Sequence, residues 1–434
     1  MKRRITNTSI HRQRVKSSLS LMGWLLPALE SYCHDEAMFL KFYTYLKRFF
    51  TAALYFNYLA AYLIIGLFRK RVLLLNYTAL ARHLGCRMTS ASLIRLIQQK
   101  GGSVVFPFPL IYGKYKLNAL PAASGIDLFA ENYLKKNILF GFLVAICDVV
   151  VLNGEGNIYE YADWKNGIVP VELLLQAYIA KKKYNKKVLI TNHSFDFIRN
   201  SGGSFREYIQ LIYPQLDALI VRDRRSYDRL MELGISQVSL SADAAFLTSY
   251  STDVRRRDHL MKKIGVRKEY AVIFLKTNVA EIPEVNLSGM IKLIKNTLNQ
   301  EVILMPTTDS ESIFLRNFRR EAKVVDFNYS IRDLLDFLAR ASFVVSGRFH
   351  YCIFSVLARA PFLPFKSNTD KIEGLVDELG YPLRTMDFLR YNEPEMLANF
   401  NYLLKNRQSL RELLGGRIPY MQELASKNIP EAFP

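Results

Sequence analysis

The sequence predicts an α/β fold made of two Rossmann-like domains, and three observations carry that prediction. From Val72 onward, short apolar runs alternate with helical stretches. Several of the runs, such as AICDVVVLNG at 145–154, are almost continuously apolar, as parallel strands covered on both faces are. The alternation then starts afresh at Tyr270, so a second βα series follows the first. At 434 residues the chain is long enough for two sizeable cores.

In the first series, VLLLNY at 72–77 is a strand, and 89–100 form a helix that Gly101-Gly102 ends. SVVFPF is the second strand, 126–142 a helix and AICDVVVLNG the third strand. Residues 169–182 are helical, KKVLITN is the fourth strand, FREYIQLIYPQL a helix and ALIVRD the fifth strand. The second series runs through a strand at 270–276, a helix at 287–299, EVILMPTT, a helix at 310–320 and AKVVDF. A helix at 330–340 and the short strand Phe343 to Val345 follow. The predicted domains are 1–70, a basic arm with an apolar helical extension, then 71–250 and 251–434. Residues 250–269, with Arg255-Arg256-Arg257, connect the two and present a solvated basic face. After Glu393 a long amphipathic helical region closes the chain and is placed to pack back on the first domain.

Half of the residues are apolar and 23% are charged, which is a globular composition. The net charge of +20 calls for an acidic neighbour: nucleic acid, anionic lipid, or a phosphorylated or carboxylated substrate. No zinc finger or aromatic RNA-binding signature is present, so a membrane surface and anionic small molecules are favoured over nucleic acid. The four cysteines have neither pairing nor metal-ligand spacing, which points to a reducing, cytoplasmic setting without a metal. Residues 1–20 carry six Lys and Arg and no acid, and no signal peptide is expected after them. The apolar segment 49–68, flanked by Lys47-Arg48 and Arg69-Lys70-Arg71, has three readings: an interfacial helix, a transmembrane helix or a buried helix. The first is favoured, because a strand begins directly behind it and its tyrosines suit an interface. The flanking cations then favour the cytoplasmic leaflet, giving a peripheral protein on the inner face of the membrane.

Chemistry-bearing residues gather at the predicted carboxyl ends of strands, where open α/β sheets bind ligands. Arg348 and His350 follow the strand 343–345 and precede a helix from about Tyr351 to Ala358. If 348–350 are extended, the two side chains share one side, where a guanidinium and an imidazole suit a phosphate or carboxylate. Arg222 ends the fifth strand as an anion ligand, while Asp223 is placed to cap the next helix. Gly154, Gly156 and Asn157 follow the third strand, either as a loop that a ligand approaches closely or as a tight turn. His193 and Ser194 end the fourth strand, as pocket lining or as a hydrogen-bonding turn. Asp243 is a hinge residue or a pocket acid. Lys276 and the turn Pro306-Thr307-Thr308-Asp309 are expected to face the cleft.

SGRFH, a helix, APFLPF and DKIEGLVDELG resemble the C-terminal signature of the polysaccharide pyruvyl transferase family, with Lys371 at the family's lysine. Arg222-Asp223, Ser226, Leu230 to Gly234 and Asp243-Ala244-Ala245-Phe246 resemble a second family motif; Ala244 stands where proline is usual. Gly154-Glu155-Gly156 stands at a Gly-Gly-Gly loop, with Glu155 departing from it. The resemblance spans roughly 72–385 and implies a GT-B-like pair of domains facing across a cleft. It also implies transfer of a pyruvyl group from phosphoenolpyruvate to hydroxyls of a glycan or lipid-linked oligosaccharide, forming a ketal, releasing phosphate and needing no cofactor. On that basis His350 is the general acid/base, Arg348 and Arg222 clamp the donor from the two domains, and Lys371 adds a charge. The rival expectations are a GT-B glycosyltransferase using a nucleotide sugar and a non-catalytic, membrane-associated component of polysaccharide assembly.

Overall fold

Two parallel sheets organise the protein, each twisted through the same kind of βα winding. A computed structural model describes residues 69–79, 83–108, 123–159, 168–196, 204–251, 253–266, 268–275, 279–325 and 330–431. The expectations for 49–68 and for Lys276 fall outside these residues. Among the described residues no helix is long and apolar enough to cross a membrane.

The first sheet has the order β2-β1-β3-β4-β5-β6 and is parallel throughout. Its strands are β1 (Lys70–Leu75), β2 (Gly102–Phe108), β3 (Val149–Glu155), β4 (Lys187–His193), β5 (Ala218–Val221) and β6 (Val238–Leu240). The helices between them are α1 (Leu84–Gln99), α2 (Ile126–Lys136), α3 (Ile138–Ile146), α4 (Ile168–Lys182), α5 (Ser204–Ile212) and α6 (Arg224–Glu232). Every residue of β3 is buried: Val149 to Leu152 as the apolar run of a central parallel strand, and Asn153 to Glu155 as its polar end. The single helix expected over 126–142 is two, because Asn137 leaves the helical region at φ −124° and ψ 58°. Helix α1 begins five residues ahead of its expected start.

The second sheet has the order β11-β10-β7-β8-β9, again all parallel. It comprises β7 (Tyr270–Phe274), β8 (Glu301–Leu304), β9 (Lys323–Val324), β10 (Phe343–Ser346) and β11 (Phe362–Pro364). Its helices are α7 (Val254–Ile264), α8 (Glu284–Lys292), α9 (Asp309–Leu315), α10 (Ile331–Arg340), α11 (Phe349–Leu357) and α12 (Lys371–Leu379). Helix α10 starts with a reciprocal capping box between Ser330 and Asp333. The basic connection at 254–264 exposes Arg255, Lys262 and Lys263, as expected, while Arg256 turns inward. Arg256 Nε donates to Asp336, a fully buried carboxylate of α10, at 2.6 Å.

Both sheets reverse their winding once, between β1 and β3 and between β7 and β10. Such a switch point opens a crevice at the strands' carboxyl ends. The closing helices α13 (Glu393–Lys405) and α14 (Arg407–Ser426) lead the chain back to the first sheet. There Ile429 joins the core cluster of Val72, Leu74, Val149 and Val151. Asn428 Nδ2 donates to Ala242 O at 2.7 Å, and Asn428 Oδ1 accepts from Asn192 N at 2.9 Å.

Candidate functional site

The first sheet brings a polar lattice to its switch point. Asn76 after β1, Glu155 at the end of β3 and Asn192 in β4 all adopt left-handed backbone angles, with φ of 54°, 43° and 53°. Asn76 Nδ2 donates to Asn153 O at 2.6 Å, and Asn192 Nδ2 to Asn153 Oδ1 at 3.2 Å. Asn157 reaches Asn76 Oδ1 at 3.3 Å, so it braces this loop. The positive φ of Glu155 explains why a glycine is at ease in such a position: no Cβ clashes there. The Glu155 side chain is buried; its Oε1 accepts from Thr78 Oγ1 at 2.5 Å and Asn153 Nδ2 at 2.9 Å. Burial raises its pKa above the ordinary carboxylate range.

Gly154 and Gly156 serve different ends. A Cβ on Gly154 would lie 2.6 Å from His193 Cβ, so this glycine permits close packing of β3 on β4. His193 itself is fully buried, with Nε2 2.9 Å from Tyr213 Oη, and burial and the Arg222 charge push its pKa down to about 3. Its Nδ1 is buried and has no hydrogen-bond partner among the described residues. A Cβ on Gly156 would instead sit 3.4 Å from Arg222 Nη2 and 3.5 Å from Lys371 Nζ, so this glycine stands directly before two cations.

Arg222 leaves β5 into a network. Its Nε donates to Ser194 Oγ at 2.8 Å and its Nη1 to Asp243 Oδ2 at 2.6 Å. Its guanidinium lies 4.7 Å from the Phe349 ring centroid, a contact between the two sheets' elements. Asp223 accepts from Ser226 N at 2.8 Å and caps α6. Asp243 is fully buried: Oδ1 accepts from Ala245 N at 2.8 Å, and Oδ2 also lies 3.6 Å from His350 Nε2. Of the two roles open to it from sequence, the structure places it among the site's charged groups, while it also caps the turn that leaves the first sheet.

On the second sheet, Arg348 is the N-cap of α11 and is extended, but Phe349 and His350 already belong to the helix. The shared side expected for Arg348 and His350 is therefore replaced by divergence. Arg348 Nη2 pairs with Glu311, whose side chain is fully buried and whose Oε2 accepts from Thr307 N at 2.6 Å and Thr307 Oγ1 at 2.9 Å. His350 turns to the first sheet, facing Asp243 and, at 3.3 Å, Thr89 Oγ1 of α1. That approach depends on Gly85, where a Cβ would lie 2.1 Å from His350 Cγ. Burial, with the charges of Arg222 and Lys371, holds the imidazole well below its usual pKa. The nearby Asp243 does not reverse this, because it is already paired with Arg222 at the shorter distance.

Lys371 opens α12 and donates to Asn368 Oδ1 at 2.6 Å. Desolvation and the neighbouring Arg222 and Arg348 push its ammonium down to about 7. The side chain stays partly open to solvent, which moderates that effect. Three helix starts, those of α1, α11 and α12, add their positive ends to the cluster. Arg222 and Arg348 are each balanced by a buried carboxylate, while Lys371, with Asp223 acting on it from a distance, and the helix ends supply further positive potential. The arrangement suits a small, multiply charged anion beside an imidazole. Among the described residues no group of three or more His, Cys, Asp or Glu is placed to hold a metal.

Sequence reading missed Glu311, Thr89, Gly85, His83 and Cys86. His83 precedes α1, its ring centroid 5.5 Å from that of His350. The helix was expected to begin at residue 89, so HLGCRM at 83–88 lay outside it, whereas Gly85 in that segment lets the helix meet His350.

A family model described as polysaccharide pyruvyl transferase matches residues 53–369. No curated protein sequence matches the chain. Among solved structures, a Listeria monocytogenes putative UDP-N-acetylglucosamine 2-epimerase is 12% identical with a TM-score of 0.53, covering 82% of this chain and 94% of its own. The S. aureus MnaA–UDP co-structure is 13% identical with a TM-score of 0.55, covering 82% and 94%. Anabaena Alr3699/HepE in complex with UDP is 10% identical with a TM-score of 0.51, covering 82% and 95%. At these identities the likeness concerns the fold, which is the GT-B type with two parallel-sheet α/β halves.

Proposed function

Since the chain belongs to the polysaccharide pyruvyl transferase family, we propose that it moves a pyruvyl group from phosphoenolpyruvate to hydroxyls of a cell-surface polysaccharide or its lipid-linked precursor. A pyruvate ketal forms and phosphate leaves. The observation that carries this reading is the meeting of Arg222, from the first sheet, with Lys371 and His350, from the second, around Gly156 and Asp243. The donor's carboxylate and phosphate find cations on both sides, and its methylene carbon needs a proton. His350 supplies it, a step that contributes about 10²–10⁴-fold when an imidazole is well placed. The imidazole is neutral in the empty site, and the donor's negative charges offset Arg222 and Lys371, which favours its protonation. Lys371 and Arg222 stabilise the phosphate as it departs. Arg348 orders the start of α11 through its Glu311 pair and adds its positive charge beside Lys371. The protein acts at the cytoplasmic face of a membrane, a reading supported by its net charge of +20.

The test is to incubate the full-length protein with phosphoenolpyruvate and lipid-linked oligosaccharides and to detect a pyruvate ketal by mass. His350→Gln abolishes phosphate release while leaving the melting temperature near that of the wild type; undiminished release in this variant would overturn the assignment. A second reading, a nucleotide-sugar glycosyltransferase, is favoured by the UDP bound in structures of similar fold. Thermal shifts decide between them: stabilisation by phosphoenolpyruvate and not by UDP supports pyruvyl transfer, and the reverse supports the rival. A non-catalytic assembly component would show vesicle binding and no turnover.

A further inference from the structure

The site contains a second imidazole to which the single-histidine scheme gives no task. His83, immediately before α1, places its ring 5.5 Å from that of His350 and 5.9 Å from that of Tyr351, both edge-on. Its side chain is partly buried. Cys86, in the first turn of α1, brings Sγ to 3.7 Å from His83 Nδ1. Glu155, whose Oε1 accepts from Thr78 Oγ1 and Asn153 Nδ2, lies close enough to act on that thiol electrostatically.

These contacts order the protons. Burial and the Glu155 charge keep that thiol protonated. With sulfur as the acceptor for His83 Nδ1–H, Nε2 keeps the ring's lone pair. The groups that face His83 from the neighbouring elements are His350, Arg348 and Tyr351 of α11, Lys371 of α12 and Cys86 of α1. Burial and the cations among them oppose a charge on the ring, so His83 is a neutral imidazole.

Resting on the pyruvyl-transfer reading, we propose that His83 is a second catalytic residue, the base that takes the proton of the attacking acceptor hydroxyl, with Cys86 and Glu155 as positioning residues. The proton balance of the reaction calls for such a group. Two hydroxyls lose protons; one proton ends on the new methyl group and the other on phosphate. His350 gives its proton to the methylene carbon. The first hydroxyl oxygen bonds to the neighbouring carbon as its O–H breaks toward His83 Nε2. The carbon–oxygen bond to phosphate then breaks, the electron pair leaves with phosphate, and His83 returns its proton to that leaving group. The second hydroxyl closes the ketal and restores the proton of His350.

The experiment has two arms on the full-length protein. In the first, ¹⁵N NMR of histidine-labelled protein, assigned by difference with His83→Gln, reads the tautomer. Nδ1–H with an unprotonated Nε2 is expected, shifting toward a mixture in Cys86→Ala. In the second, phosphoenolpyruvate is supplied with methyl galactopyranoside as a diol probe, and phosphate, ketal and solvent-deuterium entry into the methylene group are measured. His83→Gln is expected to lower kcat for ketal formation by about 10²–10⁴-fold with little change in KM for phosphoenolpyruvate, and to remove the acidic limb of the kcat–pH profile. Deuterium entry, which needs only His350, survives in this variant and is lost in His350→Gln. An Nε2–H tautomer, or wild-type kcat in His83→Gln, overturns the proposal. A wild-type protein that neither releases phosphate nor exchanges deuterium removes the pyruvyl-transfer reading itself, which is a separate result.

Discussion

Lys371 is the site cation most responsive to pH. Desolvation and the neighbouring Arg222 and Arg348 push its ammonium down toward about 7, an effect moderated by its solvent exposure, and a bound anion favours the charged form. Affinity for phosphoenolpyruvate therefore falls as pH rises from 7 to 9, by at most about tenfold per unit. Calorimetry across that range checks this, and Lys371→Arg is expected to bind with a flat profile. Arg348 behaves differently, because it neutralises the buried Glu311. Arg348→Ala leaves that carboxylate uncompensated and destabilises the protein by about 3–5 kcal/mol, so loss of activity in it would not separate catalysis from folding. Arg348→Ala combined with Glu311→Gln recovers much of the melting temperature, which differential scanning fluorimetry can show. The Arg348 residue type was legible in the sequence; its partner, on a different strand–helix unit, was not.

Among the elements, the junction of α1 with α11 decides the geometry of the imidazoles. Gly85 is the position where a methyl group would overlap His350 most severely, at 2.1 Å. Gly85→Ala must displace either the ring or the helix, with an overpacking penalty of about 1–3 kcal/mol. Turnover is expected to fall far more than stability, because His350 then loses its approach to Asp243. Parallel melts and phosphate-release assays on this variant test that separation. A second junction joins α6 to α12: Arg229 pairs with Asp370 at 2.6 Å and with Asp196 at 2.8 Å, and Arg225 with Asp377 at 3.1 Å. These pairs hold the helix bearing Lys371 beside the one that follows Arg222.

Across the molecule, the returning C-terminal segment and the buried histidines govern stability. Asn428 bonds to Asn192 N, Ser241 Oγ and Ala242 O, and so ties the end of the chain to the strands that carry the site. Asn428→Ala leaves buried donors and acceptors without partners, at about 1–3 kcal/mol for each group that water cannot reach. Chemical denaturation measures this loss. His193 adds a pH dependence of definite sign. Its folded pKa, about 3, lies below the unfolded value near 6.5, so the unfolded chain binds the proton first as pH falls. Stability present above pH 6.5 is lost progressively between 6.5 and 3, by about 2 kcal/mol at pH 5 from this residue. Urea titrations at pH 7 and 5 are expected to show it, with a smaller difference in His193→Gln.

Apolar periodicity was enough to write down both βα series, because a parallel strand buried on two faces is apolar through most of its length, as β7 and the first four residues of β3 are. Arg222, Arg348, His350 and Lys371 were likewise visible, since a strand's carboxyl end and a helix start are local features. What periodicity could not supply was the pairing of side chains across more than 200 residues, such as His350 with Thr89 and with Gly85. Those contacts arise only when the two sheets set their switch points against each other. The same folding assigned Asp243 to the charged network and buried His193, because long-range packing, and not local spacing, decides which polar groups lose water.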